Sequence, residues 1–143
     1  MANEARVFAE GVDQVIVRQF TVADATAIPK GSLLVASGNR TGLIHTAADN
    51  HKPLGYTTMS KTASDGITEV GCQRTGVVVA YVDGAVSTGD IVLASLTTIN
   101  RLQALALRGG GVFSRYELLQ AMAGRSLDNI ATTAAGRIAL SLG

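Results

Sequence analysis

The sequence predicts a mainly β domain with one short helix near the C-terminal third, and three observations carry that expectation. Gly and small or β-branched side chains dominate, whereas Trp is absent and Tyr and Phe occur three times each. Such side chains suit closely packed sheets. Short apolar runs are separated by polar turns at the spacing of small barrels and sandwiches. One strand, turn, strand pattern occurs twice, as IPKGSLLVAS from Ile28 to Ser37 and VSTGDIVLAS from Val86 to Ser95.

Taken in order, residues 1–11 (MANEARVFAEG) lack a sustained period and end at Gly11, so they read as an arm leading into a domain over 12–143. Gln14 to Val22 (QVIVRQFTV) carries apolar residues on both faces, which predicts a strand covered on each side. The two ten-residue copies align without gaps, Gly31 with Gly89 and Leu34 with Val92. Each follows a β-rich run and turns on a glycine able to take positive φ. Internal duplication and simple reuse of turn chemistry both account for the match. Between the copies, RTGLIHTA, KPLGYTT and GITEVGCQ read as short strands. Thr75 to Val82 (TGVVVAYV) is apolar at consecutive positions and predicts a central strand buried on both faces. After RLQALAL and the glycines 109–111, Ser114 and Glu117 have capping-box spacing and Gly124 stands where a C-terminal cap belongs. That pattern predicts a helix from Arg115 to Ala123. GRIALSLG, with Ile138, Leu140 and Leu142 alternating against polar or small residues, closes the chain as a half-buried strand.

A chain of 143 residues buries one core without disulfides or metal. Its 47% apolar and 16% charged content is poor in solvating charge, so some apolar surface is expected to meet a partner. The formal charge of +1 gives no global attraction to nucleic acid or anionic membrane. The charge is uneven, with seven basic and nine acidic groups in residues 1–100 against five and two in 101–143. No signal peptide and no apolar run of about 18 residues is visible, so neither secretion nor membrane spanning is expected. Cys72 is the single cysteine, which excludes an intrachain disulfide and a cysteine metal cluster. It shares a strand face with Val70 and reads as a small buried hydrophobe.

No constellation points to chemistry, and no catalytic residue, cofactor or metal is expected. His45 and His51 lie near Asp49 in a loop-like stretch and read as exposed loop histidines; convergence of the three on a metal or ligand is the competing reading. The acidic residues scatter singly through turns, Asp83 and Asp90 flanking the second glycine turn, and offer no carboxylate pair. The glycines 109–111 loosely resemble an anion nest but lack a following Lys-Ser/Thr pair. Arg101, Arg108, Arg115 and Arg125 lack the interleaved aromatics of a single-strand platform and read as solvated or interface arginines.

The order of these parts resembles the capsid decoration, or cement, proteins of tailed bacteriophages. The resemblance rests on the opening β run, the GSLLVAS and GDIVLAS turns, KPLGYTT, MAGRSL and the closing GRIALSL, and covers about residues 12–143. It implies a small β-barrel or β-tulip domain with no active site, made in the host cytoplasm, that sits as a homotrimer on the outer surface of an expanded head and stabilises it against internal DNA pressure. It implies the phage major capsid protein as partner, and neither nucleic acid nor membrane. The arm would supply capsid contacts through Ala2, Arg6, Val7 and Phe8, whose mixed side chains suit an added strand. Tyr116, Leu119 and Met122 of the predicted helix would pack at an oligomer interface or on the domain's own core. The predicted helix itself departs from a pure strand pattern. Competing readings are a non-viral oligomeric β-barrel scaffold or adaptor, a ligand-binding barrel using the histidines, and a nucleic-acid binder using the later arginines.

Overall fold

Both glycine turns take the geometry their sequences demand in the computed structural model, which describes residues 4–7, 15–46, 52–95, 98–105 and 122–142. The Ser32 amide donates to the Pro29 carbonyl at 3.2 Å, and the Asp90 amide to the Ser87 carbonyl at 3.1 Å. Gly31 and Gly89 sit at the third turn position with φ of 82° and 88°, the left-handed region a type II turn requires there. The fourth residue pins each turn. Ser32 donates its hydroxyl to the Pro29 carbonyl at 2.7 Å, and the Asp90 carboxylate accepts the Ser87 amide at 2.9 Å.

The described residues form eleven strands. The first six are β1 (Arg6–Val7), β2 (Val17–Thr21), β3 (Leu33–Gly38), β4 (Thr41–Ile44), β5 (Pro53–Thr57) and β6 (Glu69–Gln73). They are followed by β7 (Thr75–Tyr81), β8 (Ile91–Ala94), β9 (Leu102–Ala104), β10 (Met122–Ser126) and β11 (Ala135–Ser141). Strands β2, β4, β3, β5 and β6 close into a barrel in that order, and β1, β7, β11, β10, β8 and β9 form a six-stranded sheet. A parallel pairing of Thr21 with Thr41 closes the barrel. In the second sheet an isolated parallel bridge from Val82 to Leu102 likewise brings the end of β7 to β9.

The ten-residue match is therefore the visible part of a larger repeat, in which β2 to β6 and β7 to β11 are one five-strand unit used twice. Ile28 bridges Lys61 in the first unit and Val86 bridges Ile130 in the second. The Gly31 amide donates to the Thr57 carbonyl and the Gly89 amide to the Ser126 carbonyl, each at 2.8 Å. Gly55 and Gly124 also correspond: a Cβ at either would run into backbone of the next strand, at Gln73 in one unit and Ala139 in the other. Reuse of turn chemistry alone does not reproduce the order and register of five strands.

The units share their main core. Leu33 and Tyr56 of the first lie in one cluster with Val78, Ala80, Val92, Leu102 and Ile138 of the second. A smaller cluster of Val22, Ile28, Leu34, Val70 and Cys72 fills the first barrel. Close packing of these side chains supplies the main drive to fold.

Several expectations need correction. The opening strand is shorter than Gln14 to Val22 and is not covered on each side, since Val17, Arg18, Gln19 and Thr21 are exposed, while Phe20 packs against the barrel core. The central strand β7 buries Val78 and Ala80, while Val77 and Val79 are half-buried. Of the helix expected from Arg115 to Ala123, residues 115–121 lie outside the described residues, and Met122 and Ala123 belong to β10. Gly124 caps no helix there. It lies mid-strand between β8 and β11, where the lack of a side chain admits the Ala139 carbonyl.

Candidate interaction surfaces

Part of the arm is a strand docked on its own chain. Arg6 and Val7 pair antiparallel with Val79 and Val78 of β7, which lengthens the sheet at its edge. Ala5 is buried and its amide donates to the Gly31 carbonyl at 2.7 Å. Gly31 thus serves twice, because a Cβ at that position would strike the Ala5 backbone. Of the arm residues assigned to capsid contact, Arg6 and Val7 lie in β1, and Ala2 and Phe8 lie outside the described residues. Of the three residues assigned to an oligomer interface, Met122 is half-buried in β10, and Tyr116 and Leu119 lie outside the described residues.

His45 is not an exposed loop histidine. It is fully buried where the two units meet. The Asn100 amide donates to Nδ1 at 3.0 Å, which leaves the proton on Nε2, and Nε2 donates to the Ser95 carbonyl at 2.8 Å. The Asn100 side chain in turn accepts the Leu33 amide at 3.1 Å. Ser95 and Thr98 donate their hydroxyls to the Asp83 carboxylate at 2.8 and 3.2 Å. Both ring nitrogens of His45 are thereby committed to backbone, so the imidazole joins the units and has no lone pair for a metal or a substrate. Asp49 and His51 lie outside the described residues. No group of three or more His, Cys, Asp or Glu poised for a metal occurs among the described residues.

Of the four later arginines, read from the sequence as solvated or interface residues, two lie among the described residues. Arg125 is exposed and donates to the Gly89 carbonyl at 3.1 Å, Arg101 lies 6.0 Å from the Tyr81 ring, and Arg108 and Arg115 lie outside the described residues. A different set converges: Arg18, Arg40 and Arg74 line one open groove with Val17, Gln19 and Phe20. Sequence spacing gave no hint of it, because three separate strand ends and turns contribute. Arg74 is itself structural, its guanidinium donating to the carbonyls of Leu142 and, at 3.0 Å, of Leu54 while standing 5.4 Å over the Phe20 ring. Burial lowers its pKa from the ordinary value, and the nearby charge of Arg18 acts in the same direction. Cys72 behind it is fully buried, and desolvation pushes its thiol up to about 12. Large apolar side chains stand exposed at Ile16, Val17, Leu43, Met59, Tyr81 and Leu127.

The described surfaces thus offer strand edges, exposed apolar residues and a cationic groove. Among solved structures, the chain is similar in fold to a bacteriophage protein. That protein is the head fiber gp8.5 N base of bacteriophage phi29, with a TM-score of 0.54 over 90% of this chain and 96% of that one. The sequences are 12% identical, so the likeness is one of fold. No protein-family model and no curated protein sequence matches the chain.

Proposed function

We propose that the chain is a structural component of a phage head, a decoration protein that binds the outer surface of the expanded capsid as a homotrimer and stabilises it against the pressure of packaged DNA. The observation that carries this reading is the likeness, across nearly the whole chain, to a protein whose own role is a head fiber base. The surfaces support it. A scaffold of two fused β units shows strand edges and exposed apolar side chains, and its one described histidine is spent on holding the units together.

The mechanism is added interface. A specific contact buries roughly 800 Å² on each partner, and a trimer multiplies such contacts so that detachment requires several to open at once. Bonds that span the junctions between capsid subunits then oppose their separation. The arm remains the segment proposed for capsid contact. Docking of Arg6 and Val7 on β7 would hold its root in place while Ala2 and Phe8 reach the neighbour.

Co-sedimentation with expanded and unexpanded tailed-phage heads, together with light scattering of the free protein, tests this reading. Pelleting with expanded heads alone and a trimer mass are expected. A monomer with no affinity for any head would overturn it and favour a non-viral scaffold. The neighbour's role favours a second reading, a base that anchors a longer appendage. Electron micrographs of decorated heads separate the two, knobs supporting the first and projecting fibres the second.

A further inference from the structure

The two units differ at one strand edge, and what the difference implies does not depend on the head reading. In an antiparallel strand, alternate residues turn their N–H and C=O to opposite sides. At the two ends of β2, the flanking Ile16 and Val22 bond toward β6 and its flanks, the Arg74 amide donating to the Ile16 carbonyl at 2.8 Å and the Val22 amide to the Thr68 carbonyl at 2.9 Å. Arg18 and Phe20 share that side by alternation, and Val17, Gln19 and Thr21 turn the other way. Thr21 is met there by the Arg40 carbonyl at 2.8 Å, and β4 pairs with β2 nowhere else. Among the described residues no strand covers Val17 or Gln19. In the second unit, where Val79 stands in the register position of Gln19, the equivalent edge is occupied: Arg6 of β1 pairs with Val79. The chain carries its own example of how this edge is filled.

The chemistry of the open edge narrows the occupant. A groove of about 550 Å³ runs along it, bordered by Arg18, Arg40 and Arg74. Arg18 and Arg40 form no ion pair with any carboxylate of the described residues. We propose that the β2 edge accepts an extended, carboxylate-bearing segment of a partner protein as an added antiparallel strand, its backbone bonded to Val17 and Gln19 and its acidic side chains facing Arg18 and Arg40. A nucleic-acid phosphate answers the arginines but not an alternating row of donors and acceptors. A second copy paired edge to edge in the register centred on Arg18 would set Arg18 against Arg18, a like-charge contact that opposes that pairing. A second copy's β1 is already engaged, with Ala5 buried and bonded to its own chain. Charge on an edge also serves to discourage pairing, and the experiment separates that role from recruitment.

The probes are a labelled eight-residue peptide alternating Glu with Val, the same peptide with Lys in place of Glu, and a twelve-nucleotide single-stranded DNA, each titrated into the full chain. The Glu peptide is expected to bind at least about tenfold more tightly than the Lys peptide and to protect the Val17 and Gln19 amides from hydrogen exchange. Gln19→Pro removes the outward donor alone and is tolerated at a strand edge whose N–H faces solvent. Arg40→Glu reverses charge on an exposed turn. Each is expected to weaken binding of the Glu peptide by about tenfold, the scale of one hydrogen bond or charge contact, with circular dichroism and Tm unchanged. Binding of neither peptide, or of both equally, would mean a merely guarded edge and overturns the proposal. DNA binding lost in Arg40→Glu and retained in Gln19→Pro would assign the groove to nucleic acid and also overturns it, as would a dimer that Gln19→Pro abolishes.

Discussion

At the scale of single residues, the repeat exposes how two side chains solve one packing problem. Lys61 and Ile130 occupy equivalent bridge positions, and both are buried. The Lys61 ammonium donates to the carbonyls of Asp24 and Thr26 at 2.8 Å each and of Thr62 at 3.1 Å, with Asp65 3.6 Å away. Replacement by Met leaves those acceptors without their donor and is expected to cost about 3 kcal/mol, read as a lower urea midpoint at unchanged m-value. Cys72 gives a second expectation. With its thiol raised to about 12 by burial, it should stay unmodified by a disulfide reagent at neutral pH and react on unfolding; rapid modification of the native protein would contradict the burial. Asp128 gives a third. The Arg137 side chain and amide hold its carboxyl down at about 2, below its unfolded value. Its contribution to stability is present above the ordinary carboxylate range and disappears as pH falls toward 2. Urea midpoints of the native protein and of Asp128→Asn should therefore differ at neutral pH and converge between about pH 4 and 2. Cys72 was legible in the sequence because strand alternation placed it with Val70, and both are fully buried. His45 was not, because its burial comes from Ser95 and Asn100, 50 and 55 residues away.

At the scale of elements, strands were legible wherever their pattern was local. The glycine turns, β5, β6 and the alternation of β11 follow from residues a few positions apart. The apolar run of β7 marked a strand between two neighbours, and the structure grades its positions: Val78 is fully buried, whereas Val79 is half-buried. Val78→Asp is expected to abolish folding, because an unpaired carboxylate in that cluster has no solvent and no partner. Val79→Asp should leave a folded protein with a Tm lowered by several degrees. Equal loss at both positions would mean that the outer face of β7 is as tightly covered as the inner one. The helix pattern over 115–123 shows the limit of local signals. Its capping box and terminal glycine fit a helix, but at Met122 and Ala123 strand pairing with β8 and the approach of β11 at Gly124 prevail.

At the scale of the whole molecule, the shared core sets the expected behaviour. Leu33 and Tyr56 of the first unit are packed among side chains of the second, and the hydrogen bonds of His45 cross the same seam. The units are therefore expected to unfold together. Calorimetric and van't Hoff enthalpies should agree, and near-ultraviolet and far-ultraviolet signals should share one midpoint. Two separated transitions would show that the seam is weak and that each unit stands alone. Leu33→Ala, which opens a cavity at the seam, is expected to lower that single midpoint by the equivalent of about 3 kcal/mol.

By itself the sequence determined the β class, the two glycine turns, the burial of Cys72 and the alternating closing strand, since each depends on side-chain alternation or on a backbone angle available chiefly to glycine. It showed the repeat only at the turns, where backbone geometry restricts the residue. Elsewhere the corresponding positions hold pairs as unlike as Lys61 and Ile130, because burial in a folded unit can be satisfied by quite different chemistry. Tertiary structure alone decided that the same unit occurs twice, that His45 binds the units together and that Arg18, Arg40 and Arg74 share a groove. Those features arise from strands paired across long stretches of chain, and no local pattern records which distant residues will meet.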